Sequence, residues 1–231
     1  MRTCLLKLSG EALGGGGGTG LDGGVLGRIA DEIASAAEPG LGIGIVAGAG
    51  NFVRGAALEA VGIPRQRGDF MGMIATVLNG MALGAALETR GVRTRLLSGI
   101  PIGDIVPGVS EDALACPGGE VVILAGGTGN PFFTTDTAAA LRAAQMGAGV
   151  LLKATKVDGV FSADPVRDPG AERFSRLSYR EVLRRRLQVM DLTAITLCME
   201  RRIPIRVFNM HVPGNLAAAL RGGDVGTLVT E

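Results

Sequence analysis

Histidine, tryptophan, tyrosine and cysteine are nearly missing from this 231-residue chain, which contains one His, no Trp, one Tyr and three Cys. A single histidine excludes the zinc-protease motifs, which need two, and we interpret His211 as structural. The three cysteines are odd in number and far apart in the chain, which argues against a disulfide framework or a zinc site. Unpaired cysteines are typical of a reducing compartment, so we expect a cytoplasmic protein.

Net charge and long apolar runs are also scarce. The formal net charge is +1, which gives no global field to attract nucleic acid or a membrane surface. Few aromatic rings are present on which single-stranded bases could stack. No apolar run approaches the roughly 20 residues that a bilayer helix needs, and the N-terminus shows a strand pattern instead of a signal peptide. We therefore expect neither nucleic acid nor a membrane as a partner.

Lysine is the rare member of the charged residues. Of the 23 basic residues only three are lysines, namely Lys7, Lys153 and Lys156, and all three flank the ends of predicted strands. Arginine replaces lysine wherever a generic cation suffices, but a planar guanidinium does not replace a compact ammonium. The retained lysines indicate phosphate chemistry; the alternative is chance, since three residues are few.

Strand and helix patterns alternate along the chain without a repeat or a linker. Strands are predicted at 3–8, 42–47, 94–98, 120–125, 150–155, 205–208 and 227–230, and helices at 22–37, 69–88, 137–146, 178–187, 192–201 and 215–220. This alternation predicts one α/β domain over residues 1–231, a three-layer α/β/α sandwich with a central, mostly parallel sheet. The carboxyl ends of such strands converge on one crevice.

The ten residues from Gly127 to Asp136 connect a predicted buried strand to an Ala-rich predicted helix. Their glycines allow a sharp turn and a close backbone approach to a ligand, and Pro131 stiffens the turn. Thr134, Thr135 and Asp136 lie where a helix N-cap is expected, beside the positive end of the helix dipole. The stretch therefore predicts an anion site, although an ordinary capped loop would have the same pattern.

Two other glycine-rich turns follow predicted strands. The segment Gly14–Gly20 has six glycines in seven residues. Such a run cannot offset its ordering entropy by burying apolar area, so we expect a mobile loop without regular structure. It serves either as a nucleotide-binding loop or as a surface linker. The second turn, Gly48–Asn51, precedes Arg54 and lacks the third glycine of the dinucleotide fingerprint, since Val53 holds that position.

These features suit phosphoryl transfer. No lysine follows a glycine, which excludes a P-loop. Glycine turns, helix N-termini, lysines and an arginine can hold two phosphates in line and neutralise their charge. Lys7 with Lys153 or Lys156 can span the transferring group. Asp136, Asp164 and Asp191 can orient lysines or a magnesium ion.

Several stretches closely resemble the UMP kinases of bacteria, within the amino-acid kinase superfamily. They lie at 6–13, 50–55, 68–80, 127–136, 152–161, 189–194, 204–209 and 226–231, and so span the chain. The Met71-Gly72-Met73 helix and the loop 127–136 are the most specific of them. The resemblance implies ATP-dependent phosphorylation of UMP to UDP in pyrimidine nucleotide synthesis, by in-line transfer.

The resemblance also implies roles for individual residues. The catalytic group is Lys7, Arg54, Lys153 and Asp191, with Asp191 orienting the lysines. The UMP group is Ala49, Arg54, Asp69, Thr128, Gly129, Asn130, Pro131, Phe132, Phe133, Thr134 and Thr135. The ATP group is Lys7, Leu8, Ser9, Gly10, Gly50, Arg54, Thr155, Phe161 and Asp164. Mg²⁺ would arrive with ATP, and Asp136 is a candidate protein ligand for it.

The family is typically a homohexamer, activated by GTP and inhibited by UTP, and this sequence departs from it in three places. Ala49 replaces a usual glycine, Phe70 replaces a common histidine, and the glycine run replaces a more structured loop. We expect intact catalysis and a weak response to GTP. A superfamily kinase acting on a carboxylate or carbamate is the alternative enzyme, and a nucleotide sensor is the alternative outside enzymes. A sensor would be expected to lack Lys7 or Asp191.

Overall fold

An eight-stranded sheet forms the centre of the computed structural model, which describes residues 2–53, 55–116, 118–164, 167–168 and 170–231. The strands are β1 (Arg2–Leu8), β2 (Leu41–Ala47), β3 (Arg93–Ser98), β4 (Glu120–Ala125), β5 (Val150–Thr155), β6 (Arg176–Ser178), β7 (Ile205–Asn209) and β8 (Thr227–Thr230). Their order in the sheet is β3-β4-β2-β1-β5-β7-β8-β6. Only β7 and β8 pair antiparallel, so the predicted mostly parallel sheet is confirmed.

Helices cover both faces of this sheet. They are α1 (Gly10–Leu13), α2 (Gly23–Ala36), α3 (Gly55–Ala60), α4 (Arg65–Glu88), α5 (Thr135–Gln145), α6 (Tyr179–Arg185), α7 (Leu192–Arg201) and α8 (Asn215–Leu220). One buried cluster contains residues of α2, α4 and α8, and the other contains residues of α5, α6 and α7. Each cluster packs against one face of the sheet, which confirms the three-layer α/β/α architecture.

The alternation of side chains along β1 sends its residues to different layers. Leu6 and Leu8 belong to the first cluster, whereas Leu5 belongs to the second. Lys7 shares the parity of Leu5 and therefore points to the face covered by α5. All seven residues of β2 are buried, as expected for an inner strand of a parallel sheet.

Some boundaries differ from the prediction. Helix α4 begins at Arg65 instead of Asp69, with Pro64 at its N-cap, where the Pro64 carbonyl accepts from the amide of Gly68. The three-residue strand β6 and the short helices α1 and α3 were not predicted, since so few residues show no period. The glycine run was expected to lack regular structure, and this was wrong: Gly15–Gly17 forms one 3-10 turn, closed by the amide of Gly18 donating to the carbonyl of Gly15.

Helix α4 also corrects the expectation that no segment is long and apolar enough for a membrane span. Its 24 residues pass that test by length and composition. Half of its most apolar window is buried inside the protein, where it packs against α2, β3 and β4. Core helices of globular proteins pass the same test, so the result is weak evidence for a span.

Candidate active site

Two lysines meet one carboxylate at the carboxyl ends of the central strands. Lys7 and Lys153 are register partners on the adjacent parallel strands β1 and β5, so their side chains leave the same face of the sheet. The Lys7 Nζ atom lies 2.9 Å from Asp136 Oδ1, and the Lys153 Nζ atom lies 2.8 Å from Asp136 Oδ2. All three side chains are 12–16% exposed. We call this group the lysine–aspartate cluster.

The charges of this cluster depend on one another. Burial alone would raise the pKa of the Asp136 carboxyl, but Lys7 and Lys153 outweigh it and hold that pKa below its usual value. Burial, assisted by Lys7, lowers the pKa of Lys153 even though Asp136 opposes the shift. Asp136 stands in the first turn of α5, where the helix dipole also favours a negative charge.

In the part of the chain that the structure describes, Asp191 forms no hydrogen bond or ion pair with either lysine, although its charge acts to raise the pKa of Lys153; the orienting role that the resemblance implied stays a prediction. It accepts hydrogen bonds from the hydroxyls of Thr134 and Thr137, the latter at 3.0 Å. It also caps α7 by accepting from the amide of Ala194. Thr134 is itself the N-cap of α5. The carboxylate that contacts both lysines is therefore Asp136, while Asp191 fixes the helix end that carries Asp136.

A cavity of about 500 Å³ is lined in part by Thr134 and Thr135, the two residues that precede Asp136, and we call it the Asp69 cavity. Six residues of the predicted UMP group line it, namely Ala49, Asp69, Thr128, Phe133, Thr134 and Thr135. Gly129, Asn130, Pro131 and Phe132 belong to the same loop but do not line the cavity. Arg54 lies outside the described residues.

The carboxylate of Asp69 anchors the loop that follows β4. It accepts a hydrogen bond from the amide of Phe132 at 2.7 Å and another from the Nε atom of Arg65 at 2.7 Å. Phe132 has a φ of 72°, which is rare for a bulky residue, and the bond from Asp69 helps to hold it. The assignment of Asp69 to the UMP group stays a prediction, and its link to Phe132 was not predicted.

Ala49 fits its position without strain. It lines the Asp69 cavity and does not have a positive φ, so a side chain is tolerated there. The close approach in this region occurs at Gly10, where an added Cβ would lie 2.6 Å from the Gly48 carbonyl oxygen and 2.6 Å from the Gly50 amide nitrogen. Gly10 thus lets the turn after β1 pack directly on the turn after β2.

A second cavity, of about 510 Å³, is lined by both lysines of the cluster, and we call it the Lys7 cavity. Its lining includes Ser9, the glycines 15–18, Lys153, Thr155, Lys156 and His211. Lys153 and Lys156, which the sequence left as alternatives, both line this cavity. His211, interpreted as structural, also lines this cavity, and a lone histidine in a loop gave no signal of that.

Five described members of the predicted ATP group do not line this cavity: Gly10, which packs against the turn after β2, and four others. Leu8 is fully buried in the core, and only its carbonyl reaches the neighbouring turn, where it accepts from the amide of Gly48. Gly50 lines the Asp69 cavity. Phe161 and Asp164 line a third cavity of about 580 Å³, together with several arginines. The chain passes from the Lys7 cavity to this third cavity between Lys156 and Val157.

A reciprocal pair of buried amides was missed by the sequence analysis. Asn51 donates to Asn79 at 2.9 Å, and Asn79 donates back at 2.8 Å. Asn79 also donates to the Gly48 carbonyl, and Asn51 donates to the Gly20 carbonyl. The pair therefore ties α4 to the turn after β2 and to the end of the glycine run. Asparagine on a helix has many roles, so its sequence position alone did not indicate this one.

The acidic residues do not form a metal cage. Among the described residues, no three His, Cys, Asp or Glu side chains are grouped so as to hold a metal ion. Both oxygens of Asp136 are in contact with lysine ammoniums. The donor set therefore does not fit a magnesium site built by protein groups, and a magnesium ion would enter as part of a nucleotide substrate.

Comparison with known proteins places this geometry in a family. The sequence profile described as the amino acid kinase family matches residues 2–209. The uridylate kinase of Klebsiella pneumoniae is 51% identical over 229 residues, which are 98% of this chain and 95% of that protein. The uridylate kinase of Pseudomonas aeruginosa is 52% identical over 98% of this chain and 94% of its own.

Solved structures agree with the sequence relatives. The crystal structure of a UMP kinase from Bacillus anthracis matches with a TM-score of 0.92 and 34% identity, over 99% of this chain and 96% of that one. The UMP kinase from Ureaplasma parvum matches with a TM-score of 0.92 and 32% identity, over 100% and 99% of the two chains. The chain therefore belongs to the amino acid kinase family and is similar along nearly its whole length to uridylate kinases.

Proposed function

We propose that the protein transfers the γ-phosphoryl group of ATP to the phosphate of UMP, giving ADP and UDP. The observation that carries the proposal is the lysine–aspartate cluster: its two lysines line the Lys7 cavity, while Thr134 and Thr135, which precede Asp136 in the chain, line the Asp69 cavity. The names of the relatives supply the identity of the two nucleotides. The Asp69 cavity would take UMP and the Lys7 cavity the phosphates of ATP.

The lysines stabilise the negative charge of the transferring phosphoryl group, and the cavities position the two nucleotides. An oxygen of the UMP phosphate attacks the γ-phosphorus in line, and the bond to the ADP oxygen breaks. Lys7 and Lys153 place two ammoniums where negative charge gathers on the transferring group. Asp136 keeps both ammoniums in place before the nucleotides bind, so no reorganisation is needed at the moment of transfer. Magnesium bound to ATP offsets phosphate charge.

Recognition of uracil would come from the loop that follows β4. Thr128 lines the Asp69 cavity, and its hydroxyl already forms a closed turn with Asn130, accepting from the Asn130 amide and donating to the Asn130 carbonyl. A base that reverses the donor and acceptor pattern leaves such groups unpaired, which can cost roughly 10⁴-fold in specificity. CMP reverses that pattern relative to UMP.

The test is an assay of ADP release with a panel of acceptors: UMP, CMP, AMP, GMP and glutamate. We expect kcat/KM for UMP to exceed that for every other acceptor. Comparable values for UMP and CMP would contradict the proposed recognition, and activity with glutamate alone would point to another kinase of the family.

Assembly, location and regulation belong to the same proposal. The exposed apolar stripe of α4, formed by Phe70, Met71, Ile74, Leu78 and Met81, supports self-association, with a homohexamer as the expected form. Three unpaired, buried cysteines support a cytoplasmic location. GTP activation and UTP inhibition are drawn from the resemblance alone. We expect GTP to raise the rate by less than about ten-fold, equivalent to about 1.4 kcal/mol of coupling.

A further inference from the structure

An arginine is buried beneath the Asp69 cavity without an acidic partner. Arg142 lies in the last turn of α5 and is 4% exposed. Among the described residues its guanidinium contacts no carboxylate, and its Nε atom has no hydrogen-bond partner. A buried charge without a counter-charge is costly, so its presence calls for a compensating role. Burial lowers the pKa of Arg142, yet arginine starts high enough to stay charged at neutral pH.

The guanidinium is held between two oxygen atoms. One terminal nitrogen donates to the side chain of Gln145 at 2.7 Å, one turn further along α5. The other donates to the backbone carbonyl of Gly127 at 3.0 Å. The bond to Gln145 thus fixes the guanidinium in the orientation in which its other terminal nitrogen donates to Gly127, in the loop after β4.

Gly127 is the point where this contact reaches the cavity. Gly126, Gly127 and Gly129 all have positive φ, between 57° and 84°, so this stretch of backbone is set by its hydrogen bonds. Gly126 is held by the hydroxyl of Thr76, which accepts from its amide at 2.8 Å. Gly127, which lines the cavity next to Thr128, is held through its carbonyl by Arg142.

We propose that Arg142 is a positioning residue for the acceptor nucleotide, acting through the Gly127 carbonyl; this rests on the proposed function. The guanidinium turns that carbonyl toward the protein interior, which keeps its negative end out of a cavity that receives an anion. The same unpaired positive charge is compensated in part when the anionic acceptor binds. Arg142 therefore couples the shape of the loop to the charge of its ligand.

The test compares steady-state kinetics of three variants with the wild type. Arg142→Met removes the charge and both hydrogen bonds. We expect KM for UMP to rise by about ten-fold or more, since a hydrogen bond to a charged group is lost, while kcat and KM for ATP change little. Arg142→Lys keeps the charge but cannot reach both oxygen atoms, so it should recover part of the affinity.

Arg206→Met is the matched control. Arg206 is another poorly exposed arginine, with 12% side-chain exposure, and it binds Asp224 and the Val225 carbonyl away from both cavities. We expect it to lower the melting temperature without changing KM for UMP. If Arg142→Met and Arg206→Met change stability alone, or change all kinetic constants equally, the positioning role is wrong.

A milder variant covers the case in which Arg142→Met fails to fold. Gln145→Met keeps the guanidinium but releases one of its two anchors, and it should raise KM for UMP by a smaller factor. An unchanged KM in folded Gln145→Met, with Arg142→Lys also unchanged, overturns the inference. A wild type without UMP activity overturns this inference together with the proposed function, whereas an active wild type with unaffected variants overturns this inference only.

Discussion

The two cavities beside the lysine–aspartate cluster have nearly the same volume, about 500 and 510 Å³, but they are built differently. The Asp69 cavity is lined largely by residues of α4 and of the loop after β4, and some of the lining side chains are held by hydrogen bonds to neighbouring residues. Asp69 holds Phe132, and Asp191 holds Thr134. The Lys7 cavity is lined on one side by four consecutive glycines, which offer only backbone.

From this difference we expect the Asp69 cavity to be the selective one and the Lys7 cavity to be the mobile one. A cavity whose groups are already bonded to each other loses little entropy when it binds a ligand, and it penalises a ligand of the wrong pattern. A glycine wall costs more to order and cannot read a base, but it suits phosphates, which bind to backbone amides. The acceptor site should therefore be rigid and selective, and the donor-phosphate site mobile and tolerant.

The strongest test replaces the lysine that lines the Lys7 cavity and touches Asp136. Lys7→Arg keeps the charge but changes its shape, and removal of one such preorganised contact typically costs about 10²–10³-fold in kcat. Binding of UMP, measured by calorimetry, should stay close to the wild-type value because the Asp69 cavity is untouched. Retention of wild-type kcat would rule out a catalytic role.

Lys156→Arg is the control for that test. Lys156 lines the same cavity, but the described contacts of Asp136 are with the other two lysines. The same chemical change should therefore have a much smaller effect on kcat. An equal loss in both variants would mean that the cavity requires lysine in general and that the position of Lys7 is not special.

The next test replaces Asp136, the carboxylate that contacts both lysines. Asp136→Asn leaves two ammoniums close together without a counter-charge, and loss of one partner from a buried ion pair costs roughly 3 kcal/mol in the free energy of unfolding. Because the folded pKa of Asp136 lies below its ordinary value of 3.8, its contribution is fully present above that pH and is lost as the pH falls through the folded pKa.

Urea denaturation of both proteins between pH 7 and about pH 3 checks this dependence. The difference between the free energies of unfolding of the wild type and of Asp136→Asn should be constant down to about pH 4 and should then become smaller. A gap that grows on acidification would show that Asp136 is protonated in the folded protein, contrary to its contacts with the lysines.

The two lysines were predicted from the sequence, but which of the candidate aspartates contacts them was left open among Asp136, Asp164 and Asp191. Lysine scarcity and strand position indicated Lys7 and Lys153, and their register pairing follows from a parallel sheet. Which aspartate they meet depends on how far each helix start lies from the strand ends, and the sequence does not specify that distance. Asp136 and Asp191 are both helix-start residues, so local patterns cannot separate their roles.

Buried polar contacts were the second kind of information that the sequence did not provide. Asn79 and Arg142 lie on helices, where polar residues usually face solvent. Their partners, Asn51 and Gly127, are 28 and 15 positions away along the chain. Only the packing of α4 and α5 on the sheet brings these groups together. The layers of the fold, in contrast, follow from strand and helix periods that are visible in short windows.

The smallest expected effect concerns the glycine wall of the Lys7 cavity. Gly16 has no atom within 4 Å of an added Cβ and no positive φ, whereas Gly15 has a φ of 61° and an added Cβ there would lie 2.3 Å from an Asp22 carboxylate oxygen. Gly16→Ala should therefore stabilise the protein by about 0.4–1 kcal/mol by restricting the unfolded chain, and Gly15→Ala should destabilise it.

Hydrogen exchange over residues 14–20, measured in the wild type and in Gly16→Ala, tests whether the glycine wall is the mobile part of the site. Without nucleotide we expect rapid exchange in the wild type, slower exchange in Gly16→Ala, and protection in both when ATP is added, because ordering the loop is the step that the alanine makes easier. The same alanine should lower KM for ATP slightly and leave KM for UMP unchanged, since the wall borders only the Lys7 cavity. If the loop of the wild type is already protected without nucleotide, or if the alanine changes KM for UMP instead, the division into a rigid acceptor side and a mobile donor side is wrong.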